Sequence, residues 1–220
     1  MTKISDIKSG SVFEVPLEKG NGFAYVKLIF TKDINHDIED NLIVKTYDYH
    51  SKEKLDILDK LFFESDKLLF FPWCSLGLPP LRGQKKWRLL GYADLTDEDK
   101  IIPDYLSLRG GIGDEVSLEE SIKSEYGICY IEDLGSRLLY TKTIDKVEHL
   151  GNRLLRSPSA MVETLTLYYA KKEGKSLRDV YTEDELNNNF WIEINWNLLL
   201  ADKVDINSKP KLIRLKAIEN

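Results

Sequence analysis

The sequence predicts an α+β protein, with a twisted antiparallel sheet from the N-terminal half and helices from the C-terminal half packed on it. Three observations support this: an apolar hairpin pattern between residues 10 and 30, a further β-type run at 42–49, and a capped helix pattern starting at Ser157. Closure of the sheet into a barrel-like form is left open. The 220 residues are expected to form one domain, with a β-rich core at 1–105 and an acidic link and helical extension at 106–220.

The first hairpin is predicted from two apolar runs separated by a turn. Residues 12–17 lead into Glu18-Lys19-Gly20-Asn21-Gly22, and Asn-Gly tolerates the positive φ that a tight turn needs. Pro16 lacks an N–H, which predicts a sheet edge or a bulge at its position. The return strand, 23–30, alternates between two sets of residues. We expect the wholly apolar set to face the core, and the two sets are Ala24, Val26, Leu28, Phe30 against Phe23, Tyr25, Lys27, Ile29.

Further strands are predicted at 42–49, 67–74, 86–92 and 128–134, with a Gly/Pro loop at 75–84 and short helices at 54–63 and 146–155. Ser157-Pro158 is the clearest helix start, because Ser caps the first turn and Pro suits the first helical position. Lys171-Lys172-Glu173-Gly174 ends this helix, and its apolar stripe contains Met161, Leu165, Leu167, Tyr168 and Tyr169. Further helical turns are predicted at 176–181 and from Thr182. The patterns at 190–200 and 211–218 each fit a strand or a helix.

Composition restricts the possible function. Hydrophobic content is 42%, charged content 31% and net charge −6 with a pI near 5.3, which disfavours general nucleic-acid binding because that requires a basic surface. The first ten residues lack the apolar region of a signal peptide, and no apolar run approaches the length of a membrane span. Two cysteines imply no disulfide framework. We therefore expect a cytoplasmic protein that binds neither nucleic acid nor membranes.

The first half resembles the immunity protein 26 family of bacterial polymorphic-toxin systems. The resemblance rests on the order of parts, from residues 10–17 through the Gly20/Gly22 turn and Phe23-Ala24-Tyr25-Val26 to a strand ending in Tyr47-Asp48. Later parts of the pattern are Phe71-Pro72-Trp73, Trp87-Arg88-Leu89-Leu90-Gly91 and Pro103. The resemblance implies a protein that binds and neutralises a cognate toxin and is not an enzyme. It supplies no catalytic residue and no contact residue.

Residues 94–133 are strongly acidic. They contain twelve acidic and three basic residues, so this span has a net charge of −9 and the remainder of the chain is mildly positive. Such a span either keeps a protein soluble or contacts a basic partner. An acidic surface on an inhibitor would steer association with a basic toxin. The predicted partner-binding residues are Asp94, Asp97, Glu98, Asp99, Asp114, Glu115, Glu119 and Glu120.

Catalytic and metal-binding interpretations are weaker. His36, His50 and His149 lack metal-ligand spacing, and the pattern around His36 is typical of a solvated acidic loop. A Cys74–His50 pair would be a nucleophilic centre only if folding joined them, and a cysteine beside Trp73 in an apolar run is usually core. Residues 107–113 have glycines but lack the lysine of a phosphate loop. We predict no catalytic residue, cofactor or metal.

The sequence thus predicts a stoichiometric toxin inhibitor. A generic protein-interaction module outside a toxin system is the alternative, and a hydrolase is the third. The tryptophans Trp73, Trp87, Trp191 and Trp196 are candidate interface anchors, although Trp73 and Trp87 lie in apolar runs that favour core packing. The oligomeric state stays open.

Overall fold

The computed structural model describes residues 2–36, 41–55, 62–63, 72–100, 105–106, 128–131, 138–141, 151–152, 155–201 and 212–214. The strands are β1 (Ser11–Pro16), β2 (Phe23–Phe30), β3 (Leu42–Ser51), β4 (Phe62–Phe63), β5 (Trp73–Ser75), β6 (Arg88–Tyr92), β7 (Tyr105–Leu106), β8 (Ile128–Ile131), β9 (Leu138–Thr141), β10 (Gly151–Asn152), β11 (Leu155–Arg156) and β12 (Leu212–Arg214). The α-helices are α1 (Pro158–Lys172), α2 (Leu177–Val180), α3 (Glu183–Asn188) and α4 (Phe190–Ala201).

The main sheet has six strands in the order β11-β5-β3-β2-β1-β6. The five from β5 to β6 pair antiparallel, and β11 joins β5 in parallel. The α+β prediction is confirmed. The barrel-like alternative is wrong, because the sheet is open with β11 and β6 at its ends. Smaller sheets have the orders β10-β7-β8-β9 and β12-β4.

The predicted hairpin is present, with Val15 paired to Ala24 and Pro16 to Phe23. Its connection is longer than an Asn-Gly turn and takes in residues 17–22, with positive φ at Lys19, Gly20 and Gly22. The proline ends β1 beyond the last residue that pairs with β6, Glu14. Pro16 therefore does not need an N–H for pairing with β6.

The predicted apolar face of β2 packs against α1. Ala24, Val26 and Leu28 are fully buried in one core cluster together with Met161 and Leu165 of α1. The same cluster contains residues of β1, β3, β5 and β6, and Ile192 of α4. Residues from both halves of the chain therefore share one hydrophobic core.

The opposite face of β2 is also buried, which the alternation did not predict. Tyr25 packs with Leu90, and Ile29 packs with Ile43 and Cys74. Lys27 is only 2% exposed. A strand buried on both faces needs a charge partner for a lysine on either face, and the structure supplies one, described below.

Helix α1 begins as predicted. Ser157 is the N-cap and its Oγ accepts a hydrogen bond from the Ala160 N–H at 3.2 Å. All five predicted stripe residues are buried. The helix ends before Gly174, whose φ is +76°, a conformation that glycine adopts without a Cβ penalty.

Most of the other predicted elements can be compared. The predicted strands at 86–92 and 128–134 are confirmed at residues 88–92 and 128–131, and residues 132–134 lie outside the described part of the chain. The helices near 176–181 and after Thr182 are confirmed, and 190–200 is a helix. Pro72 precedes a strand at 73–75 instead of ending one. The helix at 54–63 is wrong at Phe62–Phe63 and the helix at 146–155 is wrong at 151–152 and Leu155, which are all strands. Residues 56–61, 146–150 and 153–154 lie outside the described part of the chain.

Candidate functional site

The described part of the predicted acidic span is residues 94–100, here called the acidic segment. Asp94 is exposed. The side chain of Asp97 is 99% exposed and pairs with Lys100 at 2.9 Å. The backbone of Glu98 begins a 3₁₀ turn, Glu98–Lys100. The segment thus presents carboxylates to solvent at the end of β6.

Asp99 differs from its neighbours, because it is only 5% exposed. Its carboxylate accepts hydrogen bonds from the Nζ of Lys27 and, at 2.9 Å, from the Nζ of Lys45. Burial alone raises the pKa of Asp99, but the hydrogen bonds from the two lysines outweigh it and hold the pKa below the usual value. This position contradicts a surface role for Asp99, which instead fastens the acidic segment to the sheet.

The other four predicted contact residues lie outside the described part of the chain. They are Asp114, Glu115, Glu119 and Glu120. The glycine-rich stretch at 107–113 lies there too.

A second feature, which sequence reasoning missed, is a groove of about 630 Å³ between the β1–β2 loop and the helices. We call it the helix groove. Its apolar lining includes Leu17, Val162 and Ile192, and its acidic lining includes Glu163 and Asp184. These positions are far apart in sequence, so no local motif announces the groove.

Two of the groove's carboxylates already have cationic partners. Glu18 accepts a hydrogen bond from the Tyr181 hydroxyl at 2.7 Å and from Lys85 Nζ at 2.8 Å. Burial, and then the bond to Glu18, raises the pKa of Tyr181. Glu185 pairs with Lys19, and hydrogen bonds from Lys19 and Thr182 lower the pKa of Glu185 to about 2.

Glu163 is different. Its carboxylate accepts hydrogen bonds from the side-chain amides of Asn195, at 2.5 Å, and Asn189, at 3.5 Å. Among the described residues no cationic side chain lies within ion-pair distance of it. Burial raises the pKa of Glu163, and the nearby charge of Glu18 adds to this. The groove therefore contains a half-buried carboxylate that forms no ion pair with a described residue, although the charge of Arg156 acts to lower its pKa.

Exposed aromatic side chains adjoin the groove in sequence. Phe190 is 59% and Trp191 is 37% exposed, and their ring centroids are 4.4 Å apart. They lie in the first turn of α4 between Asn189 and Ile192, which both line the groove. Trp73 and Trp87 are buried in the core, which confirms the core-packing interpretation of these two residues.

The Cys74–His50 pair, which the sequence disfavours, is not formed. Cys74 is buried with Ile29 and Ile43, whereas His50 stacks on Tyr169 with ring centroids 4.7 Å apart. Burial lowers the pKa of His50. Within the described ranges, no three His, Cys, Asp or Glu side chains come together as metal ligands. The helices described are all too short or too polar to cross a membrane.

The first half of the chain, which forms most of the main sheet, matches a known protein family. Residues 8–114 match the family model of Immunity protein 26. The suspected resemblance is confirmed over this part of the chain. The Immunity protein 26 description implies an immunity protein of a toxin system, with a toxin as its protein partner. No curated protein and no solved structure matches the chain.

The matched segment and the helix groove overlap only in part. The Immunity protein 26 match contains Leu17, Glu18 and Lys85, which line one side of the groove. Helices α1, α3 and α4, which line the other side, follow residue 114. The groove is therefore formed where the matched segment meets the C-terminal helices.

Proposed function

We propose that this protein is an immunity protein that binds a cognate bacterial toxin domain stoichiometrically and blocks it without turnover. The match of residues 8–114 to Immunity protein 26 is the observation that carries the proposal. The inhibitor acts in the cytoplasm of the cell that makes the toxin.

The described surface supports binding more than catalysis. The acidic segment exposes Asp94 and Asp97, and a basic partner would approach such a surface faster because of electrostatic steering. The segment is held in place by the buried contacts of Asp99 with Lys27 and Lys45. A fixed acidic surface that lacks a nucleophile–base pair among the described residues suits an occluding inhibitor.

Co-expression tests the proposal. The tagged chain is produced with the C-terminal domain of the large secreted protein encoded directly upstream, and complex formation and cell survival are both scored. We expect a stable complex and rescue of the cells. A folded chain that neither binds nor rescues against any toxic domain of the same genome would exclude the immunity function and favour a general interaction module.

Charge reversal tests the acidic surface. Asp94→Lys with Asp97→Lys should slow association with the toxin and weaken its dependence on salt, because exposed charges act mainly on the association rate. Further charge-reversal variants test whether the other predicted contact residues belong to the interface. They are made at Glu98, Asp114, Glu115, Glu119 and Glu120. Glu53→Lys, an exposed site outside the acidic span, is the control. Unchanged association in the first variant would remove Asp94 and Asp97 from the interface.

A further inference from the structure

The helix groove combines three properties of a binding site. It encloses about 630 Å³, within the range of sites that bury a ligand. It has apolar walls at Leu17, Val162 and Ile192. It also contains the half-buried carboxylate of Glu163, whose described hydrogen-bond partners are neutral amides.

We propose that the helix groove receives an arginine or lysine side chain of the toxin, whose cationic group pairs with Glu163. This inference rests on the proposed immunity function and names the partner group that the groove takes. The exposed Phe190–Trp191 pair forms the rim of the same contact.

The chemistry of the groove fits a basic side chain. Arginine and lysine have an apolar stem and a charged end, and they bury the stem along apolar surface. Leu17, Val162 and Ile192 would contact the apolar stem, and the carboxylates of Glu163 and Asp184 would face the charged end. The groove's lysines, Lys19 and Lys85, are held by Glu185 and Glu18. Asp184 and Glu163 therefore leave the lining with net negative charge.

The aromatic rim supports the same occupant. Tryptophan and arginine are both enriched among the residues that dominate binding energy, and a cation over an indole face is favourable. Trp191 stays 37% exposed although α4 otherwise packs on the core through Ile192. The exposed ring pair lies between Asn189 and Ile192 in sequence, and both of these residues line the groove.

The groove is separate from the acidic segment, so each is tested alone. The groove lies at the Pro16 end of β1, whereas the acidic segment follows Ala93, which bonds to Gly10 beside the Ser11 end. Asp99 also approaches the sheet through Lys27, on the face opposite Val26 and α1.

The experiment measures association and dissociation of the toxin domain that passes the co-expression test. Glu163→Gln keeps the size of the side chain and one of its two acceptor oxygens, and it removes the charge. We expect dissociation to accelerate about tenfold or more, because truncating one partner of a desolvated charge pair acts on the off-rate. Glu53→Gln removes the same charge from an exposed site that does not line the groove and should leave dissociation unchanged.

A second variant covers the case in which Glu163→Gln fails to fold. Asp184 is exposed on α3, so Asp184→Lys is tolerated by the fold and places a cation in the groove. We expect it to weaken the complex as strongly. Replacing basic residues of the toxin one at a time should identify one whose loss is no longer felt in Glu163→Gln, which a purely structural role of Glu163 would not produce.

The outcomes separate the two proposals. If the wild-type chain neither binds nor rescues, the immunity function fails. If it binds and rescues while folded Glu163→Gln and Asp184→Lys both dissociate like wild type, the groove inference alone is overturned. It is also overturned if the isolated chain self-associates and Asp184→Lys abolishes that association, because the occupant is then a second copy.

Discussion

Lys27 and Lys45 share the carboxylate of Asp99 on the sheet face opposite α1. The side chains of all three residues are less than 10% exposed. A buried ion is tolerated only when it is paired and hydrogen-bonded. Sequence alone placed Asp99 among surface carboxylates. Neither its neighbours in sequence nor the composition reveals that Lys27 of β2 and Lys45 of β3 contact its carboxylate.

Replacing Asp99 tests this contact. Asp99→Asn removes the buried carboxylate charge that Lys27 and Lys45 share, so we expect a loss of about 3 kcal/mol or more in the free energy of unfolding, measured with urea. Asp97→Asn, two residues away and exposed, should leave the urea midpoint unchanged. Equal effects of the two substitutions would contradict the buried role of Asp99.

The same contact predicts a pH dependence. The pKa of Asp99 lies below its ordinary value of 3.8 in the folded protein, so the unfolded chain binds the proton more readily. The stability from Asp99 is present above the unfolded pKa and is lost as the pH falls through the folded pKa. The stability difference between wild type and Asp99→Asn should be constant from about pH 5 to about pH 8 and shrink only below about pH 4. A difference that already shrinks near neutrality would implicate another group.

Gly20 and Gly22 test the hairpin connection as a matched pair. Both have positive φ, but a Cβ on Gly20 meets open space, whereas a Cβ on Gly22 lies 2.9 Å from His50 Nε2 and against the Ser51 carbonyl. We expect Gly20→Ala to cost about 1 kcal/mol from backbone strain alone. Gly22→Ala should cost at least about 1 kcal/mol more, because it also overpacks. Thermal unfolding of both variants measures the two losses of stability. Equal losses would show that the atoms around Gly22 move apart to make room for the Cβ.

At the scale of elements, α1 is the helix that the sequence defined best. Its cap, its first proline and its terminal glycine are local signals, and each is found where the pattern indicated. The short strands β10 and β11 were missed, because a two-residue strand has no period and exists only through its neighbour. The segment at 190–200 was ambiguous because its apolar residues are nearly continuous, and contacts with α1 decide that it is helical.

The cap of α1 can be tested directly. Ser157→Ala removes the acceptor of the Ala160 N–H and should lower the free energy of unfolding by about 1 kcal/mol. Ser159→Ala lies exposed within the first turn and loses only the hydroxyl contact with Ser157 at 2.9 Å. Its loss should be smaller than that of Ser157→Ala, because alanine favours the helix. Denaturant curves of the two variants make the comparison. A larger loss in Ser159→Ala than in Ser157→Ala would contradict the role of Ser157 as the N-cap.

At the scale of the whole molecule, the hydrophobic core includes residues that lie beyond the end of the family match. The match ends at residue 114, yet Met161, Leu165 and Ile192 belong to the core cluster of the sheet. The apolar face of β2 is covered by a helix that lies far beyond the matched segment. We therefore expect the two halves to fold as one unit.

Truncation tests this expectation. A chain of residues 1–114 would expose the face of β2 that contains Val26 and Leu28, so it should show no cooperative unfolding transition and should bind a hydrophobic dye. The full chain should unfold in one transition. A cooperative transition in the truncated chain would show that the matched segment folds alone and that α1 is an added layer.

The sequence by itself determined the local features of this protein: the hairpin, the apolar face of β2, the start and end of α1, and the resemblance of the first half to Immunity protein 26. These follow from period, turn residues and caps, which act over a few neighbouring positions. The tertiary structure alone decided the open sheet, the burial of Asp99 and the helix groove. Each of these depends on residues more than fifty positions apart, and their approach is set by packing of the shared core.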